Sequence, residues 1–342
     1  MDKIAVVILN YNGRAFLEQF LPTVIAHSAE AKIIVADNAS TDDSLSYLKS
    51  EFPTISVIVN ESNGGFSKGY NDALKKVEAE YYVLLNSDIE VTENWIQPCI
   101  QLLESDSSIV AVQPKVLSFQ KKSHFEHAGA AGGYLDKDFY PFCQGRIFES
   151  TEEDKGQYNV SHEVFWATGA CLFIRAEKYH EVGGLDEDFF AHMEEIDLCW
   201  RLKARGNKIY YCADAHIYHV GGGTLSYQNP RKTYLNFRNS LYMLTKNYDG
   251  ILLFKLIKRL LLDGMAAALF LVKFQFRHFL AVFNAHVTYY KKLTHFLKKR
   301  KAEKNSKRSP LTIGLYTKSI VFGHFLFGKK TFGDLDKKDF KA

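Results

Sequence analysis

Apolar and polar positions come in blocks along the first 115 residues. Residues 4–9 (Ile-Ala-Val-Val-Ile-Leu) form an unbroken apolar run, which predicts a strand buried on both faces. Residues 14–27 follow with helical spacing. The same alternation recurs, predicting strands at 33–36, 55–59, 81–85 and 109–112. The intervening helices are expected at 44–50, capped near Thr41 or Asp42, and at 67–77 and 95–104. The order βαβαβαβαβ implies an α/β fold with a doubly wound, mostly parallel, Rossmann-like sheet. Ligands of such sheets bind at the carboxyl ends of the strands.

Beyond residue 113 the pattern loosens into a stretch rich in Gly, His and aromatics. Residues 165–174 read as a strand pair or as a strand with a loop. Residues 194–204 read as a helix, residues 208–212 and 215–219 as short strands, and the chain after Tyr234 as helical. The expected divisions are a domain over 1–240 in two halves (1–115 and 116–240), an amphipathic helical segment over 241–310 and a tail over 311–342.

Charge sharpens that division. The 342 residues carry a net charge of +4, but residues 1–250 hold 23 Lys/Arg against 34 Asp/Glu, and residues 251–342 hold 20 against 5. An acidic body with a basic tail points to two tasks, the tail facing an anionic surface. Within residues 250–282, Lys255, Lys258, Arg259, Asp263, Lys273 and Arg277 fall within about 140° of arc on one continuous helix. The remainder is apolar, which predicts a helix lying in a membrane interface through a basic polar face. Packing on the body, a dimer interface and nucleic-acid binding are the competing uses. The tail's aromatics alternate with aliphatics at helical spacing, which argues against nucleic acid. Basic residues 298–301 would add roughly 1 kcal/mol per charge near anionic lipid. The longest charge-free run, 264–272, is too short to cross a bilayer. The five cysteines form no CxxC pair, which suits reduced core thiols in a cytoplasmic protein. The chain enters its first strand by Ile4 with no charged and apolar leader ahead of it, so no signal peptide is expected.

The predicted strand ends carry the polar chemistry. The first ends in Asn10-Tyr11-Asn12-Gly13, where a dinucleotide fold would need GxGxxG, so an oxidoreductase reading is disfavoured. The second ends in Asp37, a carboxylate able to accept from a ribose or a pyrimidine imide, or to hold a turn. Asn63-Gly64-Gly65 after the third lets a ligand approach the backbone, and the following helix start offers N–H groups. The fourth ends in Asn86-Ser87-Asp88, where a hard carboxylate can hold Mg²⁺ or Mn²⁺ against a diphosphate. A dense run of acids spans residues 186–197. On the helix there, Asp197 and Arg201 are spaced to pair, which leaves Glu195 as a free base. His216 and His219 precede the glycines 221–223, and a histidine there can complete a metal site begun by Asp88. Arg231, Lys232, Arg238 and Asn239 follow as groups that could neutralise phosphate.

Seven segments in order carry a resemblance: VVILNYNG, VADNAS, NGGFSKGYN, LLNSDIEV, TGACLFIR, GGLDEDFFAHMEEIDLCWR and HIYHVGGGT. Together they resemble the inverting family-2 glycosyltransferases of GT-A fold, and within them the rhamnosyltransferase-like enzymes of bacterial cell-surface polysaccharide synthesis. The likeness runs from Ile4 to about Asn239. It implies a transfer of sugar from a UDP- or dTDP-sugar to a hydroxyl of a glycan or lipid-linked acceptor, with a divalent cation (Mg²⁺ or Mn²⁺), at the cytoplasmic face of a membrane. Residues 1–115 would form the nucleotide-binding half and residues 116–240 the acceptor and catalytic half. Asn10, Tyr11, Asn12, Asp37, Asn63, Gly65 and Asn86 would surround the nucleotide, with Tyr11 against the base and Asp37 on its edge. Asp88 and His219 would hold the metal, and Glu195 or Glu194 would be the general base. Trp166, Gly169, Arg231 and Arg238 would meet phosphate or acceptor. Two positions depart from the family pattern. The DxD motif is reduced to Asn-Ser-Asp, and the base is Glu where Asp is commoner. The alternative function is a non-catalytic nucleotide-sugar-binding protein docked at the membrane.

Overall fold

A computed structural model describes residues 2–221, 229–306 and 309–341. The amino-terminal half alternates strands β1 (Asp2–Asn10), β2 (Lys32–Asp37), β3 (Ser56–Val59) and β4 (Ala79–Asn86) with helices α1 (Arg14–Ala26), α2 (Ser44–Glu51) and α3 (Gly65–Leu74). These strands lie parallel in the order β4-β1-β2-β3. Side-chain alternation along β1 shows why the run must be apolar throughout. Ile4, Val6 and Ile8 pack with Leu17 and Leu21 of α1 on one face, whereas Ala5 and Val7 pack with Tyr70 and Leu74 of α3 on the other.

The rest of the sheet corrects the simple parallel expectation. After β5 (Ile89–Val91), α4 (Gln97–Ser105) and β6 (Ile109–Ser118), the chain builds a small second sheet: β7 (Gly133–Asp136), β8 (Pro141–Cys143), β9 (Arg146–Ile147) and β10 (Ser150–Thr151). It then returns as β11 (His162–Val164) and β12 (Cys171–Arg175). β12 inserts antiparallel between β4 and β6, so β6 never touches β4. Helices α5 (Ala176–Glu181) and α6 (Glu194–Ala204) lead to β13 (Lys208–His219), which pairs parallel with β6 and antiparallel with β5 and β11. Residues 208–219 form this single strand rather than two, with a register shift between Cys212 and His216 marking the expected break. β5 was not anticipated, because three residues carry no usable period.

Three long helices follow: α7 (Pro230–Asn247), α8 (Leu252–Val272) and α9 (Phe276–Asn305). α7 crosses the boundary expected at residue 240. The single helix expected over 250–282 is two, broken at residues 273–275, where Phe274 takes φ 57°. α9 lies along α7: Thr233 meets His278, and Arg300 donates to the carbonyls of Thr245 and Tyr248. The last residues return to the body. β14 (Leu315–Tyr316) adds to β7, and α10 (Ile320–Phe327) starts on the Asp136 carboxylate, which accepts from the Ile320 N–H.

Candidate active site at the carboxyl edge of the sheet

Because β1, β2, β3 and β4 are parallel, their carboxyl ends share one edge. The antiparallel β12 brings the residues before it, Gly169 and Ala170, to that edge, and the Ala170 carbonyl accepts from the Asn86 N–H. α6 begins nearby. A Cβ on Gly169 would lie 3.5 Å from Glu195 Cβ and 3.1 Å from the Phe66 ring, so glycine lets these elements close.

Asp88 and His219 lie 131 residues apart in sequence and meet here. The cause is β5, which pairs antiparallel with β13 so that Ile89 faces His219, while the Val220 N–H donates to the Asp88 carbonyl. His219 Nε2 stands 3.2 Å from Asp88 Oδ1 and 3.4 Å from Asn86 Nδ2. Its other nitrogen, Nδ1, is 3.2 Å from Glu126 Oε2. Burial opposes the charged imidazole, but Asp88 and Glu126 outweigh it and push His219 up to about 10. Burial also opposes the Glu126 carboxylate, yet His219 holds it down at about 2. Sequence reasoning missed Glu126. It sits in the irregular stretch after β6, where no periodicity or motif singles it out. Gly222, Gly223 and Thr224 of the glycine segment lie outside the described residues, and Gly221 takes φ 71°.

The nucleotide-side residues form a hydrogen-bonded lattice. Asn10 and Asp37 are register partners and fully buried. Asn10 Nδ2 donates to Asp37 Oδ2 at 3.0 Å, and the Ser40 N–H donates to Asp37 Oδ1 at 2.8 Å. Asp37 therefore fixes its own turn, and a base edge reaching it would compete with these bonds. Asn12 Oδ1 accepts from the Thr41 N–H at 2.7 Å and locks the first two loops together. Tyr11 stands exposed beside them. Asn63 Oδ1 accepts from Asn38 Nδ2 and from the Gly65 N–H. The start of α3 corrects an expectation: the N–H groups of Phe66 and Ser67 are not free but donate to the Phe190 carbonyl. A Cβ on Gly65 would lie 2.5 Å from that oxygen, which explains the glycine.

Phe190 belongs to the acidic segment, now a strained loop before α6. Phe190, His192 and Met193 have φ of 67°, 70° and 73°, unusual for side chains of this size. α7 holds the strain. Asn239 Nδ2 donates to the carbonyls of Phe189, Ala191 and His192, and Arg238 donates to Phe189. Arg238 also stacks on Tyr234 and Tyr242, and Arg231 lies over Phe190. Arg238 is thus a loop clamp rather than an open phosphate contact. Trp166 is likewise a core residue. Its indole N–H donates to the Tyr134 carbonyl, and a Cβ on Gly133 would collide with its ring.

Cations occupy the three aspartates of this segment. Asp197 accepts from Arg201, as its spacing predicts, and from Lys246 and Asn247. Asp186 takes Lys246 and Lys299, and Asp188 takes Lys292, His295 and Lys299. Glu187 accepts from Asn71. Glu194 and Glu195 are different: each has a buried Oε2 with no hydrogen-bond partner. Burial raises both, and Glu195 pushes Glu194 further. Glu194 is buried, whereas Glu195 keeps a solvent-facing fraction.

The family model described as "Glycosyl transferase family 2" matches residues 5–183. The low-salt glycan biosynthesis hexosyltransferase Agl10 of Haloferax volcanii is 23% identical over 248 residues, covering 70% of this chain and 74% of that one. The N-acetylglucosaminyl-diphospho-decaprenol L-rhamnosyltransferase of Mycobacterium tuberculosis is 22% identical, covering 64% of this chain and 76% of that one. Among solved structures, the mannosyltransferase PcManGT from Pyrobaculum calidifontis, in complex with GDP-Man and Mn²⁺, aligns at TM-score 0.52 and 15% identity. That alignment covers 84% of this chain and 86% of that one, and shows a shared fold.

Proposed function

Since the chain belongs to glycosyl transferase family 2 and is a glycosyltransferase of cell-surface polysaccharide synthesis, we propose that its sheet edge inverts a sugar from a UDP- or dTDP-sugar onto a hydroxyl of a glycan or lipid-linked acceptor. Glu195 serves as the base. The observation that carries this reading is the contrast among the acids: Asp186, Asp188 and Asp197 are neutralised by cations, while Glu194 and Glu195 each keep an unpaired oxygen and Glu195 lies beside Gly169. Glu195 is the more accessible of the two. Its carboxylate takes the acceptor proton as the hydroxyl attacks, and attack from the face opposite the leaving group inverts the anomeric carbon.

The residues at Asp88 fit a hard divalent cation, Mg²⁺ or Mn²⁺. A carboxylate oxygen and an imidazole nitrogen lie 3.2 Å apart, about the separation of adjacent ligands around such an ion. The far imidazole nitrogen is backed by the buried Glu126, the arrangement that orients metal-bound histidines. No cluster of three or more candidate ligands exists among the described residues. Asp88 and His219 would therefore hold the ion jointly with donor oxygens, and the bound ion supplies charge neutralisation for the departing diphosphate. Tyr11 offers an exposed ring for the base, and Asn10, Asn12, Asp37, Asn63 and Asn86 would surround the nucleotide. A lipid-linked acceptor places the enzyme on the cytoplasmic membrane surface.

Glu195→Gln tests the reading. The near-isosteric variant should retain donor binding by calorimetry while losing turnover by about 10²–10⁴-fold. Unchanged turnover, with loss in Glu194→Gln instead, moves the base by one residue. A product of retained anomeric configuration overturns the single displacement.

A further inference from the structure

α8 turns its charges toward the protein. Arg259 pairs with the buried Asp263 at 3.1 Å and stacks on Tyr140, whose hydroxyl also donates to Asp263. Lys258 reaches Asp138 at 2.7 Å, and Lys255 donates to the Lys137 carbonyl. The polar face expected to meet lipid is thus already occupied by the β7–β8 turn.

The opposite face is left in water. Phe254, Ile257, Leu261, Met265, Leu269 and Val272 recur at three- and four-residue steps along α8, all exposed. At the turn into α9 the exposure peaks, with Val272 75% and Phe274 81% accessible, and Phe276, Leu280 and Phe283 continue the apolar surface. Lys273 and Arg277 stand exposed at the same tip and make no ion pair among the described residues. α10 flanks the same β7–β8 turn and adds exposed Phe325, Leu326 and Phe327. A continuous apolar stripe of this kind marks a binding surface.

We propose that the α8–α9 hairpin enters an anionic lipid surface tip first, laying the apolar face of α8 into the acyl boundary with Lys273 and Arg277 at headgroup level. Two observations select lipid over a second copy of the chain. An isologous dimer whose two-fold axis passes by the tip would bring Lys273 and Arg277 onto their own copies. Lys273 and Arg277, exposed at the tip and making no ion pair among the described residues, also carry the charge that complements acidic headgroups. No helix among the described residues is long and apolar enough to cross, so the hairpin lies in the interface. This refines the membrane placement proposed above by naming the contact.

The test uses the full chain and vesicles of phosphatidylethanolamine and phosphatidylglycerol. All three native tryptophans are buried, so Phe274→Trp adds one exposed reporter. Its emission should shift blue on vesicle addition and be quenched by lipids carrying a bromine in the acyl chain. Phe274→Ser and Phe276→Ser should each weaken flotation by about tenfold. Binding to vesicles should largely survive high salt, since apolar contact dominates. Emission that stays solvent-like overturns the proposal, and so does flotation lost in salt but indifferent to both serine variants. A lipid-free dimer in light scattering that Phe274→Ser dissociates assigns the face to a second copy and also overturns it. None of these readouts depends on sugar transfer, so their failure leaves the catalytic reading as it stands.

Discussion

Glu194 and Glu195 adjoin in sequence, yet the fold gives them different surroundings. Burial pushes Glu195 up to about 7; burial also raises Glu194 well above the usual carboxylate range, and the Glu195 charge adds to that rise. A base acts in its ionised form, so kcat/KM should rise with pH below about 7 and level off above it. The pH profile of Glu195→Asp should keep such a limb, and that of Glu195→Gln should lack it. The same shift bears on stability with its sign fixed. A carboxyl raised above its unfolded pKa stabilises the fold while protonated, and that contribution fades as pH climbs through about 7. Glu126 invites a second measurement. Glu126→Gln should raise the Mn²⁺ concentration for half-saturation by about 10–100-fold, read by paramagnetic resonance of the bound ion. Asp88 and His219 are legible in the sequence because short motifs surround them. Glu126 is not, because it acts through an imidazole that only the β6–β13 pairing brings near it.

The elements repay the same attention. Three residues at positive φ just before α6 persist because α7 pins the loop around them through Asn239, which binds the carbonyls of Phe189, Ala191 and His192. Asn239→Ala leaves those oxygens without that donor and should cost about 1–3 kcal/mol in urea unfolding. Turnover should fall further than stability implies, since the loop positions α6. If Asn239→Ala melts and turns over like the parent, the loop holds itself. The sequence announces α6 through its spacing and reads the chain after Tyr234 as helical, but a helix pattern does not reveal which loop it clamps. α8 teaches the same point about direction. Helical spacing does place Lys255, Lys258, Arg259 and Asp263 on one face, but it does not say which way that face points. Tyr140 and Asp138, more than a hundred residues earlier in the chain, decide it.

At the scale of the molecule, the parallel half of the sheet is legible from apolar runs, whereas the insertion of β12 is not. Five residues of apolar sequence carry no information about which two strands they will separate. The expected tail at 311–342 is also no appendage, since β14 and α10 close the second sheet. Truncation near Gly250 should therefore do more than release the protein from vesicles. It removes β14, the Lys292, His295 and Lys299 partners of the catalytic loop, and the Arg300 clamp on α7. The shortened chain is expected to aggregate or melt well below the full chain in calorimetry. A fragment that keeps the parent's melting temperature would show that α9 contributes little to the body.

Lys299 binds Asp186 and Asp188 from more than a hundred residues downstream. On the ribosome, the sheet and its carboxyl edge can fold while that lysine is still unmade. The loop that carries Phe190 to the start of α3 has only Lys246 on Asp186, and none of the α9 cations on Asp188, until α9 emerges. Nascent chains stalled before residue 290 should accordingly present a folded sheet with a protease-sensitive loop, and chains long enough to free Asn305 from the tunnel should protect it. The loop is fully paired only after α9, and with it the hairpin that meets lipid, has left the exit tunnel.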